Sequence, residues 1–271
     1  MYPEGDRREV QHQSAHSIQT ILEKIVNTQN PFPSQLMFTD GDLVGLAGVY
    51  IYVGLVILLA AKWKLIRNAK MHRKFIHIMV GNIVFIWWIF DTSYVMAFLA
   101  AAPFIPLLIL ASPHSSVKKL KQSFIGTATG EGHDYGLVYY AISWTLLAFF
   151  LFDHRMIASI AIVSMAYGDG MGGLIGKRFG KHRILGTKTL EGTSAVLFAT
   201  MISSLTVMLF YQYLSNTGFL FTPLVVLGTA VVMSLILGCI VAFVELITPG
   251  AIDNLVIPMS VAGILLLVGM G

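Results

Sequence analysis

The stretch that decides the fold is residues 43–61, LVGLAGVYIYVGLVILLAA, with Lys62, Lys64, Arg67, Lys70, Arg73 and Lys74 directly behind it. Nineteen residues without a charge suffice for an α-helix to cross a hydrocarbon core of about 30 Å. Similar apolar runs follow at 75–90, 93–111, 135–152, 156–176, 193–214, 222–246 and 252–270. The pattern predicts an all-α, polytopic membrane helix bundle of about eight transmembrane helices. Only Asp91, Thr92 and Ser93 separate the second run from the third, so a tight helical hairpin or a re-entrant pair is open there. Trp87 and Trp88 stand where an interfacial aromatic belt would lie.

Composition agrees. The 271 residues are 56% hydrophobic and 12% charged, against about 25% charged in soluble domains. So few charges cannot coat a water-facing surface. One cysteine, Cys239, excludes an internal disulfide and a Cys-rich zinc site. The first apolar run starts behind more than forty mostly polar residues, which does not read as a cleaved leader. Residues 1–42 form a polar N-terminal segment, in which Ile18, Ile21, Leu22, Ile25 and Val26 keep helical spacing behind Ser14 and Ser17. They predict a short amphipathic helix. Residues 43–271 make the membrane domain.

Basic residues set the orientation. Besides the six behind the first run, Lys118, Lys119 and Lys121 follow the third, and Lys177, Arg178, Lys181, Arg183 and Lys188 follow the fifth. In an eight-span topology these fourteen of the 18 Lys and Arg residues share one side, leaving Arg7, Arg8, Lys24 and Arg155 on the other. The crowded side is the cytoplasmic one, and both termini face away from it.

The densest chemistry lies at 169–192. Asp169 stands deep in an apolar run among Gly168, Gly170, Gly172, Gly173, Gly176 and Gly180. An acid inside a membrane helix costs about 2.5–3.5 kcal/mol by insertion scales, so it should face a partner or a wet cavity. Glycines permit close backbone approach to an anion. Lys177, Lys188 and Thr189 offer charges and a hydroxyl, and Glu191 a second carboxylate for a divalent cation bridging phosphates. The same residues also suit packing, since Gly172 and Gly176 make a GxxxG pair. A Walker loop is excluded: Arg178 follows Gly176-Lys177 where Ser or Thr is required, and Met171 replaces the first glycine.

Two further segments carry titratable groups on the same side. Arg73, Lys74 and His77 lie within one helical turn, as a phosphate site or an interfacial anchor. Glu245 precedes Asp253 and Asn254, which open the last run as helix caps or ligands. Glu131, His133 and Asp134 form a third cluster, either a solvated turn or a secondary metal or donor-site candidate. His114, His154 and His182 show no partner in the sequence.

The pattern Asp169-x-x-Gly172-x-x-x-Gly176-x-x-x-Gly180, then Thr187-Lys188-Thr189-x-Glu191-Gly192, closely resembles the CTP-binding signature of the dolichol kinase and phytol kinase family. That signature reads Asp-x-x-Ala-x-x-x-Gly-x-x-x-Gly, a spacer, then Lys-Lys-Thr-x-Glu-Gly or Lys-Ser-x-x-Gly-Ser. Gly172 replaces its alanine, and Thr187 replaces its first lysine. Arg73-Lys74-x-x-His77-x-x-x-Gly81 and Glu245 with Asp253-Asn254-x-x-x-Pro258 resemble two more segments of that family. The resemblance spans about residues 70–270.

It implies CTP-dependent phosphorylation of a long-chain isoprenoid alcohol, such as dolichol, a polyprenol or phytol, at the cytoplasmic membrane face. CTP is then the co-substrate and Mg²⁺ the cofactor. Asp169, Glu191 and Asp253 are the implied metal ligands. Lys188, Thr187, Thr189, Lys177, Arg73, Lys74, Asn254, Gly172, Gly176, Gly180 and Gly192 are the implied nucleotide-binding residues. Asp169, Asp253 or His77 would orient or deprotonate the alcohol. The host membrane is a prokaryotic plasma membrane, an endoplasmic reticulum or a plastid. The bilayer is a partner, nucleic acid is not, and a homodimer is left open. The family is also similar to CTP:phosphatidate cytidylyltransferases, so cytidylyl transfer to a lipid phosphate is the alternative. A transporter fits less well, because the acids gather at one face and the glycine break has no counterpart in the first half.

Overall fold

The computed structural model describes residues 38–62, 69–122, 126 and 135–270. The expected N-terminal amphipathic helix, and Glu131, His133 and Asp134, lie outside them. The described chain is a helical membrane protein. Five helices are long and apolar enough to cross a bilayer: Asp40–Lys62, Arg155–Phe179, Leu190–Asn216, Leu227–Ile247 and Gly250–Leu267. Val95–Ala111 and Gly136–Phe150 are apolar but shorter.

In chain order, α1 is Asp40–Lys62 and α2 is Ala69–Val80. Short 3₁₀ turns follow at Gly81–Phe85 and Trp87–Ile89, then a π-helical run at Val95–Ala101, α3 at Phe104–Ala111 and a single turn, α4, at Lys118–Lys121. Next come α5 (Gly136–Phe150), α6 (Arg155–Val163), a π-helical turn (Ser164–Asp169) and α7 (Gly170–Phe179). Strands β1 (Arg183–Leu185) and β2 (Lys188–Thr189) form an antiparallel hairpin. Then α8 (Leu190–Asn216), α9 (Leu227–Ile247), a 3₁₀ turn (Gly250–Ile252) and α10 (Asp253–Leu267) complete the chain.

The segment from α6 to α7 is the centre of the bundle: 78% of its spanning window is buried, against 28% for α1. Its composition explains the position. Ala158, Ser159, Ala161, Ser164 and Ala166 are all buried, and small residues let neighbouring membrane helices approach closely. α8 and α10 pack on it, and α8 lies in turn against α9. The outer faces present Ile51, Leu55, Leu58, Leu59, Phe198, Ile202, Val232 and Phe243 to the surroundings. A belt of this size on several helices is what lipid covers.

Three boundaries and one element differ from the sequence-based reading. The run at 75–90 is not one α-helix but α2 followed by 3₁₀ turns, where Gly81 packs so closely that a Cβ would stand 2.6 Å from that of Ala166. The run at 93–111 changes from π-helix to α-helix at Pro103, where proline withholds the helical N–H. Residues 219–226 are not helical, so α9 starts at Leu227. The Pro223 carbonyl accepts from the Gln212 side chain at 2.7 Å, tying this extended segment back to α8. Finally, the all-α expectation missed the β1–β2 hairpin, whose tight turn uses Gly186 at φ 56°.

Away from the basic end, Asp42 is fully buried and clamps the 89–92 turn. Its carboxylate accepts from the Asp91 and Thr92 amides at 3.1 Å each and from the Thr92 hydroxyl at 2.9 Å. Asp42→Ala orphans these donors, and the expected cost is about 3 kcal/mol. Thermal unfolding of the detergent-solubilised protein checks this as a lowered midpoint.

Candidate active site

A cavity of about 380 Å³ opens at the end of the bundle where α2, α7, α8, α9 and α10 meet the hairpin. It is lined by Arg73 and Lys74 of α2, Gly136 of α5 and Asp169, and by Gly172, Gly173, Gly176 and Lys177 of α7. Gly180, Arg183, Thr187, Lys188 and Thr189 come from the hairpin region, with Gly192 and Thr193 from α8 and Glu245 from α9. Gly250, Ala251, Asp253 and Asn254 close the rim. Among the described residues five basic side chains face three acidic ones. The N-termini of α8 and α10 also end here, adding partial positive charge.

Asp169 is buried, 7% exposed. The Lys74 ammonium reaches its carboxylate at 2.6 Å and its carbonyl at 3.2 Å. His77 Nε2 is 3.6 Å from the same carboxylate and 3.4 Å from the Met165 carbonyl. The partner demanded of an intramembrane acid is therefore Lys74. The acid sits on a π-helical turn, a local widening that frequently marks functional sites.

The hairpin delivers Lys188, whose ammonium pairs with buried Glu245. Thr189 is the N-cap of α8: its hydroxyl accepts from the Gly192 amide at 3.2 Å. The glycines have a structural task here. A Cβ on Gly192 would stand 3.1 Å from the Gly172 carbonyl oxygen and from the Gly176 Cα, and one on Gly176 would stand 3.2 Å from the Thr189 hydroxyl. Gly172, Gly176 and Gly192 thus let α7 and α8 cross in near backbone contact, which holds the hairpin over the cavity. Gly192→Val forces the crossing apart at an expected cost of about 2–3 kcal/mol, read as a lowered unfolding midpoint.

On α10, the Asn254 amide donates to the Asp253 carboxylate at 2.8 Å, and Ser143 anchors the Asn254 carbonyl at 2.7 Å. Asn254 Oδ1 and the Thr193 hydroxyl are buried with no hydrogen-bond partner among the described residues. Both residues line the cavity. Unpaired buried polar atoms are costly, and a polar group in the cavity could pair with both.

Most residues implied by the motif converge, but not all in the same way. Glu191 does not line the cavity; it bonds His182 Nδ1 at 2.7 Å on the outer side of the hairpin. His77 lies beneath the cavity and meets it only through Asp169. Arg183, Thr193 and Glu245 are lining residues that were not singled out as binding groups. Glu245 was marked by its place beside Asp253, whereas nothing in the sequence flagged Thr193. Among the described residues no three His, Cys, Asp or Glu side chains form a ready-made metal cluster.

This fold and this cavity define an integral membrane protein that gathers cationic and acidic side chains into one pocket at one end of its helices. The chain belongs to the phytol kinase family. It is 33% identical over 227 residues to phytol kinase of Synechocystis sp., covering 81% of this chain and 88% of that one. It is 29% identical over 203 residues to probable phytol kinase 3, chloroplastic, of Glycine max, covering 71% and 61%. With probable phytol kinase 2, chloroplastic, of Oryza sativa subsp. japonica, identity is 26% over 151 residues, covering 53% and 49%. No family model matches the chain, and no solved structure matches it.

Proposed function

We propose that the protein phosphorylates a long-chain isoprenoid alcohol of the phytol, polyprenol or dolichol type, with CTP as donor, at a site open to the cytoplasm. The observation that carries the reading is the meeting of two lysine–carboxylate pairs, Lys74–Asp169 and Lys188–Glu245, in one cavity with the unpaired Asn254 Oδ1. Relatives named phytol kinase supply the chemistry that suits it. CTP as the donor rests on the signature at 169–192. The cytoplasmic side rests on Lys177, Arg183 and Lys188 at the cavity and on the bias of basic residues. In the matching topology Val95–Ala111, Gly136–Phe150 and α2 with its following 3₁₀ turns complete eight crossings.

Phosphoryl transfer asks for positioning and charge stabilisation. Lys188, Arg183 and the α8 N-terminus bind the donor phosphates, and Lys74 holds Asp169 in place. The alcohol oxygen attacks the terminal phosphorus, and the bond from that phosphorus to its bridging oxygen breaks, releasing a nucleoside diphosphate. The hydroxyl proton passes to Asp169, Asp253 or His77. The donor set fits a magnesium ion bound mainly through phosphates, because carboxylates of Asp169 and Asp253 and the unpaired Asn254 Oδ1 line one cavity. The ion would neutralise phosphate charge. Glu191 joins this set only through a movement of its His182 contact. A transport path has less support, since among the described residues three of the four buried acids, Asp169, Glu245 and Asp253, share this end and Asp42 caps a turn.

The test is purified protein in nanodiscs with each nucleoside triphosphate in turn and a panel of isoprenoid alcohols. Phosphorylated lipid should form with CTP well above the others. Equal product from every nucleotide overturns the donor assignment, and no product with any nucleotide overturns the reading.

A further inference from the structure

A second cavity lies directly beneath the polar one, and its walls are almost wholly apolar. Two helices pass from one to the other without a gap. On α2, Arg73 and Lys74 line the polar cavity while Ile76, His77 and Val80 line the apolar one. On α5, Gly136 faces the first and Leu137 the second. His77 is the junction: buried, 3.6 Å from the Asp169 carboxylate, and with its ring 4.3 Å from that of Tyr140, another lining residue. Tyr140 fixes this turn by donating its hydroxyl to the His77 carbonyl at 2.9 Å. At the far end Trp87 and Trp144 meet edge to face at 4.7 Å.

We propose that this cavity holds the isoprenoid chain of the substrate, with the hydroxyl at His77 and the Trp87–Trp144 pair as the stop that limits chain length. The proposal rests on the kinase reading above. A compartment with a charged mouth and an apolar body suits an amphiphile with one polar end. His77 to Trp87 is ten residues of α- and 3₁₀-helix, about 15–20 Å at rises of 1.5 and 2.0 Å. An extended carbon chain advances about 1.3 Å per bond of about 1.5 Å, so the separation of His77 from Trp87 matches the length of a diterpenoid chain such as phytol. A polyprenol would have to leave past the tryptophans into lipid. Ala141, which lines the middle of the cavity, is where bulk would shorten the usable length.

The test measures kcat/KM for geraniol, geranylgeraniol and a longer polyprenol in the wild-type protein, Ala141→Phe and Trp144→Ala. Ala141→Phe should lose at least about tenfold on geranylgeraniol relative to geraniol, and Trp144→Ala should gain about tenfold on the polyprenol relative to geranylgeraniol. Unchanged ratios in both active variants overturn the proposal. A geranylgeraniol analogue with a terminal diazirine is crosslinked to the wild-type protein in parallel, which needs neither turnover nor a variant that folds. Labelled peptides should contain Trp87 or Trp144, and label confined to other segments overturns the proposal. Wild-type protein that phosphorylates no alcohol overturns the kinase reading instead, and the crosslink still decides where the chain lies.

Discussion

Asp169→Asn is expected to lower turnover by about a thousandfold, the scale lost when a charge stabilising a transition state is removed. The substitution keeps the shape of the side chain and removes only its charge. Lys74, 10% exposed and 2.6 Å away, then lies buried opposite a neutral amide. Breaking a buried pair by removing one partner costs about 3–5 kcal/mol, so the unfolding midpoint should fall as well. The double variant Lys74→Met, Asp169→Asn removes both charges and should recover most of that stability without recovering activity. Insertion into the membrane, followed by protease protection of the loops, should be unchanged in each case. Full activity in Asp169→Asn would remove Asp169 from the site.

The second large effect is expected at Lys188. Its side chain is 28% exposed while that of Glu245 is 7% exposed, so the pair straddles the cavity wall. Lys188→Met is expected to lower turnover by about a hundredfold or more, mostly as a loss of donor binding. It leaves Glu245 unpaired at a cost of about 2 kcal/mol, less than for a fully buried pair. Combining it with Glu245→Gln should restore the unfolding midpoint but not the turnover. Recovery of both together would mean that Lys188 serves only to neutralise Glu245 and binds no phosphate.

The sequence made much of this site legible because membrane proteins constrain charge so strongly. Asp169, Glu245 and Asp253 stand out against apolar runs, and the bias of Lys and Arg places them on one side. What could not be read was the pairing. Lys74 and Asp169 are 95 residues apart, and Lys188 and Glu245 are 57 apart. Only the packing of α2 on α7, and of α8 on α9, brings them together. The glycines were ambiguous for a physical reason: close approach of a backbone to an anion and close approach of two helices demand the same missing Cβ. In the structure Gly172, Gly176 and Gly192 do the second. The apolar cavity was invisible in hydropathy, because Trp87, Trp144 and Leu137 read alike whether they face lipid, protein or a hollow between helices.

The central claim is that a phosphoryl group, not a nucleotidyl group, passes to an isoprenoid alcohol at this cavity. The direct measurement gives the purified protein geranylgeraniol or phytol with CTP labelled either in the terminal phosphate or in the cytidine. The expected result is terminal-phosphate label in the lipid fraction, cytidine label only in water-soluble diphosphate, and neither product from Asp169→Asn. Cytidine label in the lipid, or terminal-phosphate label transferred equally well by Asp169→Asn, would contradict it.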